Sequence, residues 1–122
     1  MTLSVYCYVW DPDAEEWASV EWSNDRLGSH LAGFESTRRD LWGAEVMKSL
    51  GLTILPSLDG DNIQVCGPEL DQLESEIYLI HENLHLVLEN VPFDEKMITQ
   101  RTRNFLDAIN KAREVDGYVV IS

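Results

Sequence analysis

Leu3-Ser4-Val5-Tyr6-Cys7-Tyr8-Val9-Trp10 is the stretch whose reading decides the fold. β-Branched and aromatic residues dominate it. Leu3, Val5, Cys7 and Val9 alternate with Ser4, Tyr6, Tyr8 and Trp10, the period of two that sends successive side chains to opposite faces of a sheet. The stretch is therefore expected to be a first strand. Asp11-Pro12-Asp13-Ala14-Glu15-Glu16 then reads either as an acidic first helical turn with proline at N1 or as a tight turn. As a turn it leads into a second strand, Trp17 to Trp22, and closes a hairpin. The hairpin is favoured, and at this level both a helix and a strand stay open for residues 12–22.

Outward from that strand the elements alternate in type. Ser23-Asn24-Asp25 caps a short helix over Arg26 to Ala32, and Ser36 caps a clearer one from Thr37 to Leu50 that stops at Gly51. Leu52-Thr53-Ile54-Leu55, ended by Pro56, and Asn62 to Cys66 form two short strands turned by Asp59-Gly60-Asp61-Asn62, a second hairpin. Gly67-Pro68-Glu69-Leu70-Asp71 opens a helix with proline at N1 and carboxylates in the first turn. Leu70, Leu73, Ile77, Ile80, Leu84, Val87 and Val91 hold the helical period, which predicts one long central helix. Asp94 caps a last helix, with Ile98, Phe105, Ile109 and Ala112 inward, reaching about Val115; Tyr118-Val119-Val120-Ile121 is a buried closing strand. The expected fold class is α+β. Residues 1–122 form one domain, with a mixed or antiparallel sheet of four to five strands on three to four helices.

Length and composition agree with that expectation. The chain has 122 residues, 44% of them hydrophobic and 9% aromatic, enough for one core. Cys7 and Cys66 lie in strand-like runs where a reduced cysteine packs as a small hydrophobe; with no signal-peptide pattern at the start, free thiols in a cytoplasm are expected. No apolar run approaches the roughly 20 residues of a bilayer span.

Charge is the most unusual property. Against 9 basic residues stand 22 acidic ones, for a net charge of −13. No Lys or Arg occurs before Arg26 or between Lys48 and Lys96. Such a surface repels nucleic-acid phosphates and anionic lipid, and attracts a basic protein. The candidate docking carboxylates are Asp11, Asp13, Glu15, Glu16, Asp59, Asp61, Glu69, Asp71, Glu74 and Glu76. At least one of the four tryptophans is expected at the surface, since Trp17 and Trp22 fall on opposite faces of a strand. An exposed tryptophan beside carboxylates is the make-up of an interface hot spot.

One motif implies specific chemistry. His81-Glu82-Asn83-Leu84-His85 matches H-E-x-x-H and resembles the zincins, in which two histidines four apart on one helix hold zinc and the glutamate activates water. Asn83 stands where those proteins carry an apolar residue, and no histidine follows His85, so the third ligand is lacking. Coincidence is the favoured explanation. A zinc hydrolase using His81, Glu82 and His85 is the alternative, and a homo-oligomeric structural or regulatory protein is a second one. Phosphate-binding, dinucleotide and serine-hydrolase motifs are missing from the sequence.

The order of hairpin, helix, hairpin, paired helices and closing strand, with the Ser23-Asn24 segment before a helix and the Gly67-Pro68-Glu69-Leu70 helix opening, resembles the small acidic immunity proteins of bacterial polymorphic toxin systems. That resemblance implies a bacterial, cytoplasmic, non-enzymatic protein without a cofactor. Its carboxylates would occupy the basic cleft of a toxin.

Overall fold

A computed structural model describes residues 2–21 and 30–122 of the chain. Its centre is the first strand, β1 (Thr2–Asp11), as the alternation requires. Pro12 to Glu15 turn the chain, and β2 (Glu16–Val20) returns antiparallel with Trp10 opposite Trp17 and Tyr8 opposite Ser19. Two local features make the turn. The Asp11 carboxylate accepts from the backbone N–H of Asp13 and Ala14 at 3.0 and 3.3 Å, and Glu15 takes a left-handed φ of 54°. The hairpin reading thus holds, and the helical alternative for this segment does not.

The expected helix over Arg26 to Ala32 falls partly outside the described residues. Where it is described it is corrected: Leu31–Phe34 is a strand, β3, paired with the start of β1 through Thr2–Phe34 and Leu3–Gly33. Gly33 holds φ at 131°, and a Cβ there would lie 2.5 Å from the Thr37 hydroxyl, so the segment needs glycine for conformation and for space. The helix expected from Thr37 to Leu50 is two pieces. A π-helical turn, Arg38–Trp42, ends where Gly43 N–H bonds the Arg38 carbonyl at 2.8 Å. Ala44 is extended, and α1 follows over Glu45–Ser49.

The second hairpin is also corrected. Leu55–Leu58 is a 3₁₀ turn and not a strand, while β4 (Ile63–Val65) pairs with the closing strand β5 (Tyr118–Ile121). β5 in turn pairs with β1, with Tyr8 opposite Tyr118 and Tyr6 opposite Val120. The sheet runs β2-β1-β5-β4, with β3 sharing the β2 side of β1, and every pairing is antiparallel.

The long helix expected from Leu70 to Val91 is interrupted. α2 (Pro68–Glu82) ends at Asn83, whose side-chain amide donates to the Leu79 carbonyl at 2.9 Å, and α3 (Leu84–Asn90) starts anew. An asparagine that satisfies backbone carbonyls with its own side chain competes with helix continuation. α4 (Glu95–Val115) is as expected, its N-cap being Asp94, whose carboxylate accepts from Met97 N–H at 2.8 Å.

α4 lies on one face of the sheet, where Phe105, Ala108, Ile109 and Ala112 meet Leu3, Val5, Cys7, Val119 and Ile121, all fully buried. α2 packs behind it through Leu73, Ile77 and Ile80. Among the described residues this is a mixed α+β arrangement of five strands and four α-helices, and none of those helices is long and apolar enough to cross a membrane.

Candidate functional site

The opposite face of the sheet carries the alternate residues of the same strands. Tyr6, Tyr8 and Trp10 of β1, Trp17 and Ser19 of β2, Tyr118 and Val120 of β5 and Gln64 of β4 share it by register. None of them is buried. A solvated face of an antiparallel sheet is ordinarily polar, so a run of aromatic rings there calls for an explanation.

The rings are ordered by mutual contact. Trp17 meets Trp10 edge-on at 5.5 Å between centroids and Tyr118 at 4.9 Å, nearly perpendicular at 87°. Tyr6 lies 6.1 Å from Tyr8 and 5.8 Å from His30. Edge-to-face pairs of this kind stabilise by about 0.5–1.5 kcal/mol beyond their area. Even so, Trp10 and Trp17 each keep 47% exposure. Tyr8, Trp17, Gln64, Tyr118 and Val120 enclose an open cleft of about 210 Å³.

The charge around this face is negative. β1, β2, β4 and β5 contain no Lys or Arg; Asp13 and Glu15 lie in the turn next to Trp10 and Trp17, and the Asp11–Glu16 pair ends the ladder with its side chains toward the other face by register. Glu69, at the start of α2, acts on the Tyr118 phenol. That hydroxyl is held above its ordinary pKa, first by its hydrogen bond to Cys66 and also by the negative charge of Glu69.

The carboxylates singled out from sequence do not form one patch. The hairpin four share one turn, and Glu69 opens α2 near Gln64. Asp59 is 3.9 Å from the Arg39 guanidinium, while the Asp61 carboxylate accepts from Asn62 N–H at 2.9 Å. Asp71 and Glu74 both bind Arg113 of α4, with Arg113 Nη1 to Glu74 at 2.7 Å, and these bonds, Glu74 foremost, raise the guanidinium pKa further. Glu76 is buried. One of its oxygens accepts from Thr53 N–H at 3.1 Å and Ile54 N–H at 2.9 Å, the other from Leu55 N–H at 2.9 Å. It caps the 3₁₀ turn from a distant helix and faces no solvent, so it leaves the docking set.

The H-E-x-x-H residues are not arranged around a common point. His81 closes α2 and its Nε2 is 2.8 Å from Thr102 Oγ1 of α4, whereas His85 belongs to α3 and pairs with Glu89 at 2.8 Å. The break at Asn83 separates them. Among the described residues no three His, Cys, Asp or Glu side chains converge as a metal site.

Sequence reasoning anticipated an exposed tryptophan and placed Tyr6, Tyr8 and Trp10 on a common face. It missed Tyr118 and Gln64, whose place depends on how β5 and β4 pair. Comparison of the chain with protein-family models, with curated proteins and with solved structures gave no match.

Proposed function

We propose that the protein is a non-enzymatic binding module that docks on a basic protein partner, in the manner of a toxin-neutralising immunity protein. The observation that carries this reading is the sheet face that no described helix covers, where exposed Trp10 and Trp17 adjoin the acidic hairpin end formed by Asp11, Asp13, Glu15 and Glu16, with no cation on the strands. Aromatic anchors supply contact area at low entropic cost, and the surrounding carboxylates steer a basic partner and set its orientation. Repulsion of phosphates argues against a nucleic-acid ligand. The free thiols of Cys7 and Cys66 suit a reducing cytoplasm.

The test compares two triple charge reversals for binding to a decalysine peptide over a range of salt. Asp13→Lys, Glu15→Lys and Glu16→Lys together should weaken binding and flatten its salt dependence markedly. Asp40→Lys, Glu45→Lys and Glu95→Lys together should have a clearly smaller effect. Equal losses from both sets would mean that only net charge matters, and the docking face would be abandoned.

A further inference from the structure

The cleft between Trp17 and Tyr118 is too small for a cofactor. Sites for drug-sized ligands run roughly 300–1,000 Å³, whereas this one is about 210 Å³ and open to solvent. It suits a single side-chain head group. Its walls are π-faces and one aliphatic residue: Trp17 and Tyr118 meet nearly at right angles, Tyr8 lies opposite Tyr118 in the register, Val120 adds apolar contact, and Gln64 places an amide at the rim.

Trp17 keeps nearly half of its surface in solvent beside Tyr118, and an open aromatic face attracts a cation. Among the described residues, no lysine or arginine lines the cleft. Glu69 adds a carboxylate nearby, lining with Gln64 the adjoining hollow.

Of the two cationic side chains, arginine fits better. Its guanidinium is planar, weakly hydrated and stacks on aromatic faces, while its edge donors can reach an amide carbonyl such as that of Gln64. An ammonium group is compact and strongly hydrated, and gives up more on entering a half-apolar cleft. We propose that this cleft seats one arginine side chain of the basic partner, packed against the exposed surface of the Trp17–Tyr118 pair and hydrogen-bonded to Gln64. The proposal rests on the docking reading above and assigns its anchor point.

The experiment titrates the full chain with hexa-arginine and with hexalysine while following tryptophan fluorescence and the indole N–H resonances. Hexa-arginine should bind more tightly and shift the Trp17 indole most. Trp17→Leu should weaken hexa-arginine binding roughly 2- to 30-fold, the range of a cation–π contact from exposed to desolvated, and change hexalysine binding much less. Both side chains are at the surface, so the fold should survive, which a thermal melt would verify. Gln64→Leu is the second variant, expected to lower the preference for arginine without disturbing the rings. Equal affinity for the two peptides, unmoved by either substitution, would overturn the arginine seat and leave acidic docking in place. Absence of binding by both peptides would overturn both.

Discussion

Strand β1 meets two different environments within a few ångströms. Leu3, Val5 and Cys7 are fully buried beneath α4, while Tyr6, Tyr8 and Trp10, interleaved with them, look outward. Both sets are rich in apolar surface, yet among the described residues only one is covered. The inner set explains why the chain folds: burying such side chains stabilises by about 1.5–3 kcal/mol each. The outer set contributes less to folding because Trp10 and Trp17 remain half in water. Large exposed rings of this kind are what interaction surfaces commonly present, and they are the basis of the docking proposal.

The sharpest way to break this contrast is truncation on both sides of the sheet. Phe105→Ala, removing a ring that packs tilted against buried Trp42 with centroids 5.0 Å apart, should destabilise by about 3–5 kcal/mol. Trp10→Ala should cost under about 1 kcal/mol. Chemical denaturation would measure both, and similar losses would show that the outer rings are core after all.

A smaller effect separates the carboxylates in the same way. Glu76→Gln puts an amide NH₂ among the backbone N–H groups of Thr53, Ile54 and Leu55, which now share a carboxylate. The expected loss is about 1–3 kcal/mol of stability. Glu16→Gln on the exposed hairpin should move the same denaturation midpoint by no more than about 0.5 kcal/mol. Equal shifts would return Glu76 to the surface set.

The mildest test concerns the two thiols. Burial holds the Cys7 thiol above its ordinary pKa, opposed in part by the charge of Lys111. A raised folded-state pKa means that the fold resists ionisation. Its stabilising contribution is complete below the unfolded thiol value near about 8.5 and is lost as pH rises through the folded one. Tyr118, also raised, works in the same direction. Stability should therefore decline from pH 8 to pH 10. Iodoacetamide at pH 8.5 should modify partly exposed Cys66 well before Cys7. Cys7 reacting as fast as Cys66 would show that the inner face opens readily.

How much of this was legible in the sequence depended on the range of the interactions. The β1–β2 hairpin and α4 were readable because their determinants are local: alternation, the Asp11 turn, and Asp94 at the N-cap. β3 was not, because Leu31-Ala32-Gly33-Phe34 has no strand signal of its own and is extended through pairing with β1. Leu52 to Leu55 looked like a strand, yet the backbone donors of Thr53, Ile54 and Leu55 are satisfied by Glu76, more than twenty residues away. The central helix carried its own interruption in Asn83, whose low helical preference was outweighed on paper by the apolar period around it.

Composition and pattern by themselves determined an α+β chain with a strongly negative surface, a strand of alternating aromatic residues, and the helices that would cover it. Only the tertiary structure decided which side of that strand is covered, that Tyr118 comes to rest against Trp17, and that Glu76 turns inward while Asp13 and Glu15 stay outside. The physical reason is that alternation is symmetric. A period of two states that a strand has two faces, and only the pairing of β5 and the placing of α4 make one face a core and leave the other free.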